Sequence, residues 1–257
     1  MNKYFQKLIP NKVLSNFGYT GIRPKSFVAQ NLDIREDIAT KYAYDGDLLD
    51  IFASNQGPLV HKWHHYIPLY DRYFGQYRNQ PIKFLEIGVA EGGSLKMWRR
   101  YFGNDAVIFG IDIDPACEQF NNLDGQVRIG SQVDRKFLLD VIDEMGGVDI
   151  VLDDGSHHMQ DVKSSFDYLF PVLHVGGLYV VEDLHTSYWR RYGGGYGMKK
   201  NFFNFIRDSI DDMHRWYHQN AIKNIAIAEN CSGIHIHDSM VVFEKKIVYQ
   251  PVSSKVG

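Results

Sequence analysis

The stretch KFLEIGVAEGGS, residues 83–94, decides the fold of this chain of 257 residues. Its first half is a short apolar run, which is typical of a buried β-strand, and its second half is a glycine-rich turn. The segment SLKMWRRYF, residues 94–102, has the pattern of a helix. A buried strand, a glycine turn and a helix in this order form the first unit of an α/β sheet.

The same alternation continues through the rest of the chain. Strands are predicted at 83–89, 106–114, 127–130, 148–154, 177–183, 222–229 and 234–246, and helices at 94–102, 135–145, 159–173 and 201–217. Strands separated by helices pair in parallel, whereas the last two have no helix between them and are predicted to form an antiparallel hairpin. The pattern therefore predicts an α/β fold: a Rossmann-like seven-stranded sheet with a terminal antiparallel hairpin and helices on both faces.

The first part of the chain differs from the rest in charge. Five basic side chains and no acidic one precede Asp33, although the whole chain has a net charge of −3. Residues 1–45 are predicted to form an N-terminal arm, and residues 46–250 one domain. The net negative charge argues against a general nucleic-acid binder.

The cysteine count and the hydropathy pattern indicate the compartment. Cys117 and Cys231 form neither a disulfide framework nor a cysteine-based zinc site. The sequence has no run of the roughly 18 to 20 apolar residues that a transmembrane helix needs, and no apolar signal-peptide run. We therefore expect a cytoplasmic protein without a transmembrane segment.

The loop after the first strand is predicted to bind a cationic ligand that contains a ribose. Gly88 allows a tight turn, and Gly92 lets a ligand approach the backbone. Glu86 and Glu91 bracket the loop, which is unfavourable for the pyrophosphate of a dinucleotide. Asp112 ends the second strand, where an acid accepts hydrogen bonds from ribose hydroxyls. S-adenosylmethionine has these properties; the alternative is a tight turn without a ligand.

Carboxylates and histidines follow the fourth and fifth strands. Asp153 and Asp154 end the fourth strand, His157 lies three residues further, and Glu182 and Asp183 end the fifth. Neighbouring parallel strands would bring these acids into one crevice, where they repel one another unless a cation compensates them. Oxygen ligands favour Mg²⁺ or Ca²⁺. We expect His157 to be a neutral general base; alternatively, Asp154 caps a helix and His157 is solvated.

Four segments carry a resemblance to a known family: LEIGVAEGGS at 85–94, GIDID at 110–114, VLDDGSHH at 151–158 and GGLYVVEDLHTSYW at 176–189. Together they resemble the metal-dependent class I S-adenosylmethionine sugar O-methyltransferases, the family of the macrocin and mycinamicin enzymes, to which cephalosporin-hydroxylase-like proteins are related. The resemblance covers roughly residues 55–245, and its most specific part is DDGSH followed at a fixed distance by ED.

The resemblance implies a role for each motif. Asp154, Glu182 and Asp183 would hold Mg²⁺, and His157 together with Asp154 would be catalytic, with His157 as the base. Gln132 lies in a segment that resembles the family's GDQ, with Ser131 in place of the acid. The residues assigned to S-adenosylmethionine are Glu86, Gly88, Glu91, Gly92, Ser94, Asp112, Gln132 and Asp153.

The aromatic segment after the fifth strand suits an acceptor site. His185, Tyr188 and Trp189 precede a run of glycines, which is typical of a lid that stacks on a sugar. The alternative is an ordinary mobile surface loop.

The predicted function is therefore Mg²⁺-dependent O-methylation of a sugar hydroxyl with S-adenosylmethionine as donor. The substrate would be a small molecule or a glycan: a glycan, a glycolipid or a glycosylated natural product. We also expect a homo-oligomer. Three alternatives stay open: O-methylation of a small aromatic diol, a non-catalytic S-adenosylmethionine-binding scaffold, and a nicotinamide-dependent oxidoreductase.

Overall fold

Five parallel strands and an antiparallel hairpin form one mixed sheet in the computed structural model, which describes residues 32–257. The strands are β1 (Lys83–Ile87), β2 (Val107–Asp112), β3 (Gln126–Ile129), β4 (Ile150–Asp153), β5 (Leu178–Val181), β6 (Cys231–His237) and β7 (Met240–Lys245). Their order across the sheet is β3-β2-β1-β4-β5-β7-β6, and β7 runs antiparallel to both β5 and β6. The predicted seven-stranded α/β fold with a terminal hairpin is confirmed.

The α-helices of the described residues precede the sheet or connect its strands. They are α1 (Ile34–Tyr42), α2 (Asp47–Ala53), α3 (Tyr66–Phe74), α4 (Gly93–Phe102), α5 (Arg135–Met145), α6 (Met159–Leu169), α7 (Phe202–Met213) and α8 (Ile225–Asn230). Short 3₁₀ turns lie at Gly75–Tyr77, Pro115–Phe120, Phe170–Val172, Leu184–Tyr188, Arg190–Tyr192 and Arg215–Tyr217.

The register of the parallel strands brings their carboxyl ends to one level. Ile87 of β1 pairs with Ile111 of β2 and with Asp153 of β4, and Asp153 pairs with Val181 of β5. The chain reverses its winding direction between β1 and β4, which is where open α/β sheets bind ligands. The loops that follow these strands therefore meet along one edge of the sheet.

Two buried clusters cover the two faces of the sheet, because successive side chains of a strand point to opposite sides. Phe84 packs into the first cluster with Trp98 and Tyr70, whereas Leu85 packs into the second with Phe166. The ring centre of Trp98 lies 5.0 Å from that of Tyr70 and 5.3 Å from that of Phe84. Helix α3 is therefore fixed to the sheet by aromatic packing.

The prediction of a strand at 222–229 is wrong, because this segment contains helix α8. The hairpin consists of β6 and β7 instead, so the predicted strand at 234–246 includes its turn. Isoleucines that alternate over a few residues resemble a strand, but the Asn224 side chain accepts hydrogen bonds from the Ala226 and Ile227 amides and starts a helix.

The predicted arm falls partly outside the described residues, which begin at residue 32. Its remainder contains α1, whose Ile38 is fully buried in the first core cluster. The Asp33 side chain caps this helix by accepting from the Glu36 amide. The boundary between arm and domain near residue 45 stays a prediction.

Among residues 32–257, no helix is both long and apolar enough to cross a lipid bilayer.

The cap of α8 can be tested by Asn224→Ala. Loss of the side-chain oxygen leaves two amides at the helix start without their acceptor, so we expect the free energy of unfolding to fall by about 1 kcal/mol. Denaturant unfolding measures this change. Asn220→Ala is the matched control, because Asn220 is exposed and its hydrogen bond to His218 uses the backbone amide. Equal stability of the two variants would contradict the cap.

Candidate active site

The carboxyl ends of β1, β2 and β4 open into a cleft of about 600 Å³. This volume lies within the range of roughly 300–1,000 Å³ that is usual for small-molecule sites. The predicted site residues that line it are Gly88, Glu91, Ser94, Asp112, Gln132, Asp154, His157, Glu182 and Asp183. The structure thus brings together residues that are spread over almost a hundred positions of the chain.

Asp112 orders the loop that follows β1. One of its oxygens accepts from the amides of Val89, at 2.9 Å, and Ala90, at 3.0 Å, and the other accepts from the Asp114 amide at 2.9 Å. Burial opposes ionisation of Asp112, but these amides outweigh it and lower the pKa of the carboxyl. Asp112 is therefore a fixed carboxylate at the rim of the cleft.

Three residues assigned to the methyl donor, Glu86, Gly92 and Asp153, do not line the cleft. Glu86 is fully buried, where it accepts from Ser94 Oγ at 2.7 Å and from Trp98 Nε1 at 3.2 Å. Burial raises the pKa of Glu86 to about 7. Gly92 is also buried, with φ at +74°, and its Cα approaches the ring of Phe120 so closely that a side chain has no room. Glu86 and Gly92 therefore support the loop after β1 from the buried side and do not face the cleft.

Asp153 likewise lies beneath the cleft. It accepts from Ser165 Oγ at 2.5 Å and from Tyr179 Oη at 3.1 Å, and burial raises its pKa to about 6. Gln132 lies between Asp153 and the cleft, and its side-chain oxygen accepts from the Ser156 amide at 2.7 Å. Gln132 and Asp153 therefore hold the loop that leads to His157.

Asp154, His157 and Asp183 form the cluster that faces the cleft. His157 Nε2 lies 3.9 Å from Asp154 Oδ1 and 3.9 Å from Asp183 Oδ2. His157 and Asp183 both have left-handed backbones, with φ of +56° and +55°. Consecutive residues of a regular strand point to opposite faces, and the left-handed turn at Asp183 breaks this alternation and lets its side chain face His157.

The two carboxylates of this cluster, Asp154 and Asp183, suit a hard divalent cation, which prefers oxygen ligands. One ligand atom from each of the three residues lies within 4.8 Å of the others. Opposite ligands of Mg²⁺ are about 4.2 Å apart at bond lengths of about 2.1 Å, so small side-chain movements suffice. Glu182, the third carboxylate predicted as a ligand, lies behind the cluster with both oxygens on other side chains. The assignment of the three ligands stays a prediction.

Residues 62–70 contribute side chains that the sequence analysis did not assign to the site. Lys62 Nζ donates to Asp154 Oδ2 at 2.6 Å and to Glu182 Oε2 at 3.0 Å, and Tyr70 Oη donates to Glu182 Oε1. The tyrosines at 66 and 70 leave a signal in the sequence, because they are four positions apart and so share one helical face. Lys62 precedes the helix and leaves no such signal.

Asp183 is also held from this segment. Trp63 Nε1 donates to Asp183 Oδ1 at 3.0 Å, and Tyr66 Oη lies 3.0 Å from the same oxygen. The Tyr66 hydroxyl accepts from the Asp183 amide at 3.1 Å, which supports the left-handed turn. The other oxygen of Asp183 remains directed toward His157.

Of the three residues predicted for the acceptor, His185 lies beside Asp183, with its Nδ1 3.9 Å from Asp183 Oδ1, and Trp189 packs on His185. The ring of His185 is 5.4 Å from that of Trp63 and 4.8 Å from that of Trp189, measured between centres. Burial lowers the pKa of His185. Tyr188 packs instead on Tyr196 and Phe203. His185 and Trp189 thus form an aromatic wall next to the carboxylate cluster.

The chain is similar in sequence to known methyltransferases. Residues 85–184 match a family model described as a methyltransferase domain. The chain is 36% identical over 216 residues to the 3'-O-methyltransferase of 8-demethyl-8-(2-methoxy-α-L-rhamnosyl)-tetracenomycin C from Streptomyces olivaceus, covering 78% of this chain and 54% of that protein. It is 33% identical over 204 residues to the demethylmacrocin O-methyltransferase of Streptomyces fradiae, covering 74% and 51%.

A solved structure agrees with these relatives. The MycE methyltransferase of the mycinamycin biosynthetic pathway, in complex with Mg, SAH and mycinamycin VI, superposes with a TM-score of 0.65 at 31% identity, covering 84% of this chain and 55% of MycE. The chain therefore spans about half the length of the relatives that it matches.

The pH dependence of stability tests the burial of Glu86. Because its pKa is raised to about 7 by burial, the folded protein binds a proton that the unfolded chain releases near pH 4.5. Stability from this group is therefore complete below pH about 4.5 and is lost as the pH rises through about 7, by about 3 kcal/mol in total. We expect Glu86→Gln to flatten this decline, as measured by denaturant unfolding from pH 4.5 to 8.

Glu91→Gln is the matched control, because Glu91 lies in the same loop but is exposed. Its profile should follow that of the wild type. An unchanged profile in Glu86→Gln would show that another group is responsible for the decline.

Proposed function

The chain is a relative of the macrocin, mycinamicin and tetracenomycin sugar O-methyltransferases, and from this premise we propose that it transfers a methyl group from S-adenosylmethionine to a hydroxyl of a sugar. The observation that carries the proposal is the cluster of Asp154, His157 and Asp183 at the mouth of the donor cleft. An imidazole between two carboxylates, beside a nucleoside-sized cleft, suits deprotonation of a hydroxyl next to a methyl donor.

The cleft supports S-adenosylmethionine as the donor. Asp112 presents a fixed carboxylate at the rim, where ribose hydroxyls would donate to it. Gly88, with φ of +98°, allows the backbone to turn beneath the ligand. Glu91 and Asp154 add negative charge to the lining, which favours a sulfonium over a pyrophosphate.

The reaction is a direct displacement at the methyl carbon. His157 takes the proton of the acceptor hydroxyl while that oxygen forms a bond to the methyl carbon. The bond between carbon and sulfur breaks, its electron pair stays on sulfur, and S-adenosylhomocysteine leaves. A divalent cation held by Asp154 and Asp183, with Glu182 behind them, would supply Lewis acidity that lowers the pKa of the hydroxyl.

The acceptor side supports a glycosylated small molecule. The aromatic wall of His185 and Trp189 lies next to Asp183 and offers ring faces on which a sugar can stack. The relative from Streptomyces olivaceus is named for methylation of a rhamnosyl tetracenomycin C, and the relative from Streptomyces fradiae for methylation of demethylmacrocin. A glycan or glycolipid acceptor has the same chemistry. We further propose a cytoplasmic homo-oligomer that does not bind nucleic acid.

Methyl transfer itself is the first test. Labelled S-adenosylmethionine is incubated with the protein and with rhamnosylated or other deoxysugar-bearing polyketides, with Mg²⁺ or with excess EDTA. We expect label in the sugar hydroxyl with Mg²⁺ and a loss of at least about a hundredfold with EDTA, because a metal-bound hydroxyl ionises far more readily. Undiminished transfer in EDTA would contradict the metal dependence. Methylation of a catechol but of no sugar-bearing compound would contradict the sugar acceptor.

The base is tested by His157→Ala. General base catalysis contributes about 10²–10⁴-fold, so we expect kcat to fall by that factor while the Kd of S-adenosylhomocysteine stays within about threefold. His158→Ala is the matched control, since this neighbouring histidine is exposed and does not line the cleft. Equal kcat losses in both variants would contradict a specific role for His157.

A further inference from the structure

A lysine is buried among the acids of the site. The Lys62 side chain is 3% exposed, and its Nζ contacts Asp154 at 2.6 Å and Glu182 at 3.0 Å, with Glu86 at 3.9 Å. A buried charge is costly unless it is paired and hydrogen-bonded. Two carboxyl groups lie within hydrogen-bond distance of Nζ, and they favour the ammonium form because it can donate to both. Lys62 is therefore a charged residue of the cluster.

The ammonium and the cleft use different oxygens of the same carboxylates. Lys62 occupies Asp154 Oδ2, whereas Asp154 Oδ1 is directed toward His157. Asp183 shows the same division, because Trp63 occupies Oδ1 and Oδ2 faces His157. A divalent cation that binds the oxygens facing His157 therefore need not displace Lys62.

The charges of the cluster indicate what Lys62 does. The three predicted ligands, Asp154, Glu182 and Asp183, carry three negative charges when ionised, and Lys62 offsets one of these charges before any divalent cation binds. We propose that Lys62 is a permanent cation of the carboxylate cluster, which stabilises the protein when the divalent cation is released and weakens the binding of that cation. The proposal rests on the divalent-cation site of the proposed function.

The two effects have one cause and must be equal in size. Lys62 and the divalent cation are like charges that compensate the same carboxylates, so each reduces the benefit of the other. Coupling between two bound groups is reciprocal. If removal of the ammonium lowers the Kd of the cation by some factor, saturating cation must reduce the variant's loss of unfolding free energy by the free-energy equivalent of that factor.

The test compares Lys62→Met with the wild type in the full chain. Isothermal titration with Mg²⁺ gives the Kd, and denaturant unfolding gives the stability in EDTA and in saturating Mg²⁺. We expect the Kd for Mg²⁺ to fall by about tenfold, because a charge a few ångströms away is removed. The loss of unfolding free energy in EDTA should then exceed the loss in Mg²⁺ by about 1.4 kcal/mol, which is the free-energy equivalent of a tenfold change in Kd.

Three further variants make the result specific. Lys62→Arg keeps the charge and should keep the Kd for Mg²⁺ within about threefold. Lys136→Met removes an exposed lysine, paired with Asp140 at 2.6 Å, and should change neither quantity. Glu182→Gln in the Lys62→Met background removes both partners, so it should recover stability in EDTA. This double variant keeps the test usable if Lys62→Met alone does not fold.

The outcomes separate this proposal from the proposed function. An unchanged or weaker affinity of Lys62→Met for Mg²⁺ overturns the role of Lys62, whereas EDTA-sensitive methyl transfer by the wild type would still support the methyltransferase. Loss of S-adenosylhomocysteine binding with unchanged Mg²⁺ affinity also overturns it, because Lys62 would then be a ligand of the donor. A wild type that binds no Mg²⁺ overturns this proposal and the metal site of the proposed function, whereas labelled methyl transfer still tests the methyltransferase separately.

Discussion

Four parallel strands that end at one level impose the main constraint on this protein. The pairing of Ile87, Ile111, Asp153 and Val181 places the residues that follow them along a single edge of the sheet. Three of these four strands continue into acidic residues, Asp112, Asp154 and Glu182, so the same geometry that creates the ligand cleft also concentrates negative charge. The surrounding side chains offset that negative charge while the cleft stays open.

The side chains that offset the charge belong to residues 62–70, a segment that precedes the sheet in the chain. Lys62 supplies the charge, and Tyr66 and Tyr70 supply hydroxyl groups to Asp183 and Glu182. Helix α3, which carries both tyrosines, is in turn fixed by the packing of Tyr70 against Trp98. Because Trp98 also donates to Glu86, the aromatic core and the acidic site form one connected structure. A change in the packing of α3 therefore changes the positions of the carboxylates.

The sequence predicts the sheet and the residues of its edge because both depend on local patterns. Short apolar runs, glycine turns and acids at strand ends are visible one segment at a time. The role of Lys62 is not, because it lies 92 positions from Asp154 and only the tertiary fold brings them together. The alternation of side chains along a strand predicts which face of the sheet the Glu86 side chain is on. Glu86 is two residues from Phe84, so it lies on the Trp98 side of β1 and not in the cleft. The alternating isoleucines near Asn224 resemble a strand, but the Asn224 side chain caps a helix there, so the hairpin begins later in the chain than the pattern predicts.

The backbone is strained at the residues on which the chemistry depends. His157 and Asp183 adopt left-handed conformations that non-glycine residues occupy at a cost of roughly 1–3 kcal/mol. Each is held by a neighbour: Gln132 accepts from the Ser156 amide just before His157, and the Tyr66 hydroxyl accepts from the Asp183 amide. Relaxing either turn would move an imidazole or a carboxylate away from the space they share. Both holding residues lie outside the loops that they restrain, so the rigidity of the site derives from the fold and not from the loops themselves.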